Sequence, residues 1–217
     1  VSSAASDVYK RQMADIVRLC QNYKAHLHVD AVQAAGRMAL CVEEMGMDSL
    51  ALSGHKMGGP KGAGALLLRG PAPARLEPLF EGGGQEQGRR GGTPPLPALA
   101  GLVAALQASL AQPMQPLARL RDRLEQAAIA AGAVVNGGTA PRLANTTNLA
   151  LPGRRAQGQL MRLDLEGLCV SAGSACSSGK VAASHVLDSM GLGELAGQAI
   201  RVSLPWSVTE DDINLFI

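Results

Sequence analysis

Apolar residues in the first half of the chain switch between helical and strand spacing. Ile16, Val17, Leu19 and Cys20 share a helical face within Met13 to Tyr23, and Leu27-His28-Val29 then reads as a short buried strand ending at Asp30. The pattern predicts a short helix over Val32 to Leu40, a strand over Ser49 to Leu52, and a third strand over Gly62 to Leu68, entered from a glycine-rich turn. Helices alternating with short apolar strands predict an α/β domain with a mainly parallel sheet. Glu81 to Pro97 is rich in Gly, Pro and Arg and fits neither period, so it predicts a long loop, and long ordered loops are often functional.

Two helices are expected next, Pro97 to Ala111 and Pro116 to Ala131, the second with Leu117, Leu120, Leu124, Ala128 and Ile129 on one face and Gly132 as its stop. From Ala133 the order becomes strand (Ala133 to Asn136), strand (Asn145 to Leu151), helix (Gln157 to Leu165) and strand (Leu168 to Ser171). A short helix over Ser184 to Met190 and a strand over Ala199 to Leu204 follow, and Thr209 with its acidic neighbours opens a last helix. This half predicts a smaller α+β domain. The expected division is residues 13–112 as part of a large domain and residues 113–217 as a small C-terminal one.

Val1 to Gln12 has no apolar period and no signal-peptide core, and DVYKRQ also matches a translated sequencing adapter, so this stretch is expected to be a non-native leader. The final helix ends barely two turns in, at Ile217, which carries the expectation of truncation at that end as well.

Composition narrows the function classes. A 217-residue chain with 47% hydrophobic residues can bury a real core. Its net charge of +2 is dispersed, which argues against nucleic-acid binding. The most apolar stretch, Leu96 to Leu110, is broken by Gly101 and Gln107, so no membrane span is expected. Cys20, Cys41, Cys169 and Cys176 lack the spacing of a metal site or disulfide framework, and no metal is expected. The first three sit among apolar neighbours and read as small buried residues, whereas Cys176 lies in a run of Gly and Ser.

The segment SGHKMGGPKGAG sets a lysine among polar residues and glycines directly after a predicted strand, where α/β folds place ligands. It is no phosphate loop of the Walker type, because Lys61 follows Pro60 and precedes Gly62. Lys56 is placed for Schiff-base chemistry, Ser53 and His55 for donating to a phosphate, and Asp30 for pairing with a pyridinium nitrogen. Each residue alone has an ordinary explanation: Asp30 as a turn residue, His55 as a core histidine, Arg201 as an ion-pair partner, Lys56 as a solvated lysine. Their joint occurrence outweighs those readings.

HVDAVQAAG, SGHKMGGPKGAGAL, EGGGQEQGRRGGT, SAGSACSSG and AIRVSL, in that order, resemble the cysteine desulfurases of the NifS and IscS kind, within the class V aminotransferase fold. The resemblance spans Met13 to Ile217 and implies the C-terminal part of a pyridoxal-phosphate-dependent transferase of fold type I. It implies that Lys56 carries pyridoxal 5'-phosphate, that Asp30 and Gln33 meet the ring nitrogen and ring hydroxyl, and that Ser53 and His55 hold the phosphate. Thr93 would reach the cofactor phosphate of a neighbouring subunit in a homodimer, Arg201 would bind the carboxylate of L-cysteine, and Cys176 would accept the sulfur as a persulfide. Alanine is the implied product, an iron-sulfur scaffold or another sulfur acceptor the implied partner, and the cytoplasm the implied location.

The family's upstream phosphate turn, ring-stacking histidine and substrate-side asparagine cannot be found in this sequence, so the chain by itself is expected to have little activity. Pro205 stands where glycine is usual and Ala183 where proline is common. The alternatives are a selenocysteine lyase, another class V enzyme, and a noncatalytic sulfur-handling or scaffold-binding module.

Overall fold

The computed structural model describes residues 9–70, 76–173 and 184–217. The chain divides into two compact units, one of Arg11–Gln112 and one that holds Pro113–Ile217, each described by itself below.

In the first unit, helix α1 (Tyr9–Asn22) begins four residues before the expected start, inside the stretch set aside as a leader. Strands β1 (His28–Asp30), β2 (Ser49–Ser53) and β3 (Gly64–Leu68) form a sheet in the order β1-β2-β3. β1 runs parallel to β2, with Asp30 opposite Ala51, while β3 returns antiparallel, with Gly64 opposite Ser53. The described sheet is thus half parallel rather than mainly parallel. The ten residues between the ends of β2 and β3 form a tight turn, which is long enough for an antiparallel return but too short for a parallel crossover. β1 is exposed at His28 and Asp30 rather than buried, the two residues sharing one face of the strand while Val29 on the other is half-buried.

The helix expected over Val32 to Leu40 is a series of turns. Ala34 and Ala35 both donate to Ala31 O at 2.9 Å, but Gly36 takes φ +74°, a left-handed value that ends the helical run after one turn. Helix α2 (Leu96–Ala111) packs its buried Leu102 beside the turn that follows β2, where Gly54 is buried as well. Met47 and Leu50, 0% and 1% exposed, are the unit's most deeply buried large side chains.

The second unit opens with α3 (Met114–Ala130). An antiparallel sheet of β4 (Val134–Val135), β5 (Thr146–Ala150), β6 (Ser171–Ala172) and β7 (Ala199–Ser203) has the order β4-β5-β7-β6. Helices α4 (Ala156–Leu165), α5 (His185–Ser189) and α6 (Glu210–Phe216) complete it. Strand alternation sorts the side chains: Leu149, Ile200 and Val202 turn to a core shared with Leu117 and Leu124 of α3 and Ile213 of α6. Ala150 and Ala199 turn the other way, onto Leu187 and Ala196. Ile129, expected on the buried face of α3, is exposed, because it lies about 100° round the helix from Ala128, which packs on that core.

Thr209 caps α6 as expected from its acidic start. Its hydroxyl accepts from Asp212 N, and the Asp212 carboxylate accepts from Thr209 N at 2.8 Å. Glu125, nearly buried on α3, forms a two-pronged ion pair with Arg142. Cys20 and Cys41 are half-buried and Cys169 is exposed, so none is fully buried as expected. Cys169 alternates outward between half-buried Leu168 and Val170 in the extended approach to β6. No single helix among the described residues is long and apolar enough to cross a membrane.

Candidate active site

The parallel pairing of β1 and β2 brings five of the sequence-predicted residues to one edge of the first sheet. Asp30 ends β1 and Ser53 ends β2, two strands pointing the same way, so both residues sit at carboxyl ends, where α/β sheets bind ligands. The Ser53 hydroxyl and His55 Nδ1 are hydrogen-bonded at 2.8 Å. The chain then tightens into a 3-10 turn over Gly54–Lys56, leaving Lys56 exposed at its end.

Backbone bonds hold that turn rigidly. Gly54 N donates to Ala63 O at 2.9 Å, and Gly54 O accepts from both Met57 N, at 2.9 Å, and Gly59 N, at 3.0 Å. A Cβ on Gly59 would lie 3.0 Å from Gly54 O, and one on Gly101 would lie 2.6 Å from Pro60 Cδ. Glycine gives both places their close approach, since a side chain at Gly101 would push Pro60 back and one at Gly59 would press on Gly54 O and α2.

Asp30 does the ordinary work of a turn residue too, since its Oδ1 accepts from Val32 N at 3.0 Å. Gln33 is joined to the lysine turn by a residue that sequence reasoning missed. Arg37 Nη1 donates to Gln33 O at 2.7 Å and to Gln33 Oε1 at 3.0 Å, while Nη2 donates to Lys56 O at 3.2 Å. The signal was the four-residue spacing of Gln33 and Arg37.

Thr93 is not part of this hydrogen-bonded cluster. It is exposed directly after Gly92, φ +97°, at the end of the Glu81 to Pro97 loop. The loop is irregular but pinned: Gly91 N donates to Phe80 O at 2.8 Å, and Gly82, Gly83, Gly84 and Gly88 all take left-handed φ values.

Arg201 belongs to the second unit. It lies on β7 between Asn148 of β5 and Ser171 of β6, and its Nη2 donates to Ser171 Oγ at 3.3 Å. Burial pushes its pKa down from the usual arginine value, yet a guanidinium remains charged at physiological pH. Asn148, Ser171, Gly173, Ser184 and Arg201 line a small cleft. Cys176 lies outside the described residues, but Gly173 and Ser184, the described residues that bracket its segment, both line this cleft. Asn148 was also missed in the sequence, although strand parity alone turns it away from Leu149.

A family model described as aminotransferase class-V matches residues 9–216. The chain belongs to the class-V aminotransferase family. Among curated relatives of this class-V chain, "Cysteine desulfurase 2" of Trichormus variabilis is 44% identical over 197 residues, covering 88% of this chain and 48% of the relative. Among solved structures, a NifS-like protein from Rickettsia africae is 33% identical with a TM-score of 0.82, covering 94% of this chain and 55% of the other. SspA, solved in complex with cysteine, is 34% identical with a TM-score of 0.70, covering 89% of this chain and 54% of its own. The chain spans about half the length of the curated relatives it matches.

Class-V enzymes of this kind are pyridoxal-phosphate dependent, and the residues here fit that group. An exposed carboxylate and a hydroxyl-imidazole pair stand at the same ends of parallel strands, and an exposed lysine follows in a turn fixed by backbone bonds. Asp30 suits a pyridinium nitrogen, Ser53 and His55 suit a phosphate, and the Lys56 amine suits an aldehyde.

Proposed function

We propose that the protein carrying this class-V chain is a cysteine desulfurase, which converts L-cysteine to L-alanine and leaves the sulfur as a persulfide on Cys176. The carrying observation is the pairing of Lys56 and the Ser53-His55 couple in one rigid turn. The desulfurase names of its relatives support the same reading.

Pyridoxal phosphate, when bound, supplies an electron sink for the substrate's α-carbon. Lys56 Nζ anchors that group and is the base able to take the α-proton and return a proton to the β-carbon. Asp30 keeps the ring nitrogen protonated, and Ser53 with His55 orients the phosphate. Arg201 holds the α-carboxylate of cysteine with its fork of donors.

The Cys176 thiolate attacks the substrate sulfur. A sulfur-sulfur bond forms as the carbon-sulfur bond breaks, the electron pair of the broken bond goes to carbon, and protonation there yields alanine. Atoms balance as one thiol plus cysteine giving one persulfide plus alanine. Cys176 follows Gly173 of the Arg201 cleft by three residues, a tether of at most about 11 Å. The persulfide is then passed to an acceptor, such as an iron-sulfur scaffold, and the working unit is a cytoplasmic homodimer in which Thr93 serves the neighbour's cofactor.

Borohydride reduction of the cofactor-loaded protein, followed by peptide mapping, tests the lysine assignment. The pyridoxyl label is expected on Lys56. A label on Lys61 or Lys24 contradicts it, and a loaded protein that releases no alanine from cysteine contradicts the desulfurase reading.

A further inference from the structure

The face of the second unit's sheet that turns away from its main core carries a continuous polar row. Residues directly opposite each other in an antiparallel pair project from the same face. Asn148 is opposite Arg201, and Arg201 is opposite Ser171. Asn136, one residue beyond β4, extends the row by donating its backbone N–H to Asn148 O at 2.9 Å. One step along each strand, Val135, Leu149, Ile200 and Ala172 turn instead to the main core.

Asn136 is 8% exposed and only half satisfied. Its Nδ2 donates to Asn148 Oδ1 at 2.7 Å, whereas its own Oδ1 is buried with no hydrogen-bond partner among the described residues. A half-satisfied buried amide is destabilising, and an orphaned group of this kind calls for an explanation. The bond that Asn136 does make orients its neighbour. It draws the Asn148 oxygen toward β4, and because an amide carries its oxygen and nitrogen on opposite sides, Asn148 Nδ2 faces the Arg201 side of the row. Two donor groups then stand side by side in the cleft, because a guanidinium offers donors alone. Adjacent donors of this kind suit an anion with two acceptor oxygens.

We propose that Asn148 is a second carboxylate-binding residue beside Arg201, with Asn136 as the positioning residue that turns its amide, so that the cleft takes the α-carboxylate of an amino acid. This rests on the reading that Arg201 receives the substrate carboxylate. Asn148 would contribute one hydrogen bond to a charged acceptor, which corresponds to roughly a tenfold effect on affinity. Asn148→Asp would set a like charge against the ligand and also neutralise Arg201, for an expected loss of at least about a hundredfold. Asn136→Ala releases the orientation without removing the donor, and about a threefold loss is expected.

The test uses the cofactor-loaded protein and L-alanine, the unreactive product, with ethylamine as the ligand lacking a carboxylate. In the wild-type protein, saturation with L-alanine should shift the Asn148 side-chain amide resonances in a proton-nitrogen spectrum, and ethylamine should not. Calorimetry should give the graded losses above for L-alanine with unchanged ethylamine binding, and with L-cysteine Asn148→Ala should raise KM while sparing kcat. An Asn148 amide that does not move in the wild-type protein overturns the proposal whether or not the variants fold. L-alanine binding that Arg201→Lys weakens and Asn148→Asp leaves intact overturns the proposal alone. Binding that neither variant changes overturns the Arg201 reading with it.

Discussion

Gly101→Ala separates the two demands made on α2, to be a good helix and to leave room for the lysine turn. Alanine in a helix interior is favoured over glycine by about 1 kcal/mol. Against this, the new Cβ would stand 2.6 Å from Pro60 Cδ and 2.7 Å from Pro60 Cγ, where ordinary carbon contacts lie near 3.5–4.0 Å. The proline ring therefore has to retreat by about 1 Å, and overpacking of this kind costs about 1–3 kcal/mol. The net change in stability falls between nothing and a loss of about 2 kcal/mol, too small a range to decide the matter. Position is the sensitive readout. Pro60 is four residues from Lys56, and the turn between them is tied at both ends to Gly54 O, so the displacement reaches the lysine. A misplacement of about 1 Å can reduce a positioned reaction by about a hundredfold. The assay is the rate of Lys56 labelling by pyridoxal phosphate and borohydride, expected to fall by about ten- to a hundredfold, alongside denaturant unfolding. Gly158→Ala on α4 is the control, because nothing lies within 4 Å of its added Cβ, and it should stabilise by up to about 1 kcal/mol while leaving labelling unchanged. Gly101→Ala protein that is stabilised like the control and labels at the wild-type rate refutes the reasoning.

Arg37→Ala removes the bonds from one guanidinium to Gln33 and to the Lys56 carbonyl, and should destabilise by about 1–3 kcal/mol and slow Lys56 labelling; Arg37→Lys, lacking the fork, should restore less than half of the labelling rate. Asp48 accepts from Leu27 N at 2.8 Å and from Arg69 at 2.6 Å, and the Leu27 bond leads in holding its carboxyl below the usual range. A carboxyl depressed by folding stabilises above its unfolded value, about 3.9, and that contribution is lost as pH falls through the folded value. The unfolding midpoint should therefore be level from about pH 5 to 7 and fall below about pH 4, less steeply in Asp48→Asn, and equal acid slopes in the two proteins contradict the assignment.

What was legible in the sequence is what rests on local pattern. The helical spacing of Leu117, Leu120, Leu124 and Ala128 found α3, β5 and β7 lie within the strands expected over Asn145 to Leu151 and Ala199 to Leu204, and the acidic run after Thr209 marked α6. Val32 to Leu40 misled because its apolar content suits a helix, whereas Gly36 at φ +74° and the Asp30 side-chain bond to Val32 N settle it as turns. The reversal of β3 was missed although it was readable, since the expected strands at Ser49 to Leu52 and Gly62 to Leu68 already leave too short a connection for a parallel crossover. Lys56, Ser53, His55 and Asp30 could be picked out because their chemistry is local to two strand ends. Arg37, Asn136 and Asn148 could not, because their roles arise from partners in other segments, and the fit of Gly101 to Pro60 joins residues 41 apart in sequence.

The central claim is that sulfur leaves cysteine for Cys176, and mass spectrometry of the cofactor-loaded protein after brief exposure to L-cysteine without reductant tests it most directly. One added sulfur atom is expected on the peptide carrying Cys176 and none on those carrying Cys20 or Cys41, and Cys176→Ala should keep its cofactor while releasing no alanine by sulfur transfer. Cys169 is the stringent control, because it is exposed and seven residues away. Sulfur confined to Cys169, or undiminished alanine release by Cys176→Ala, would contradict the account.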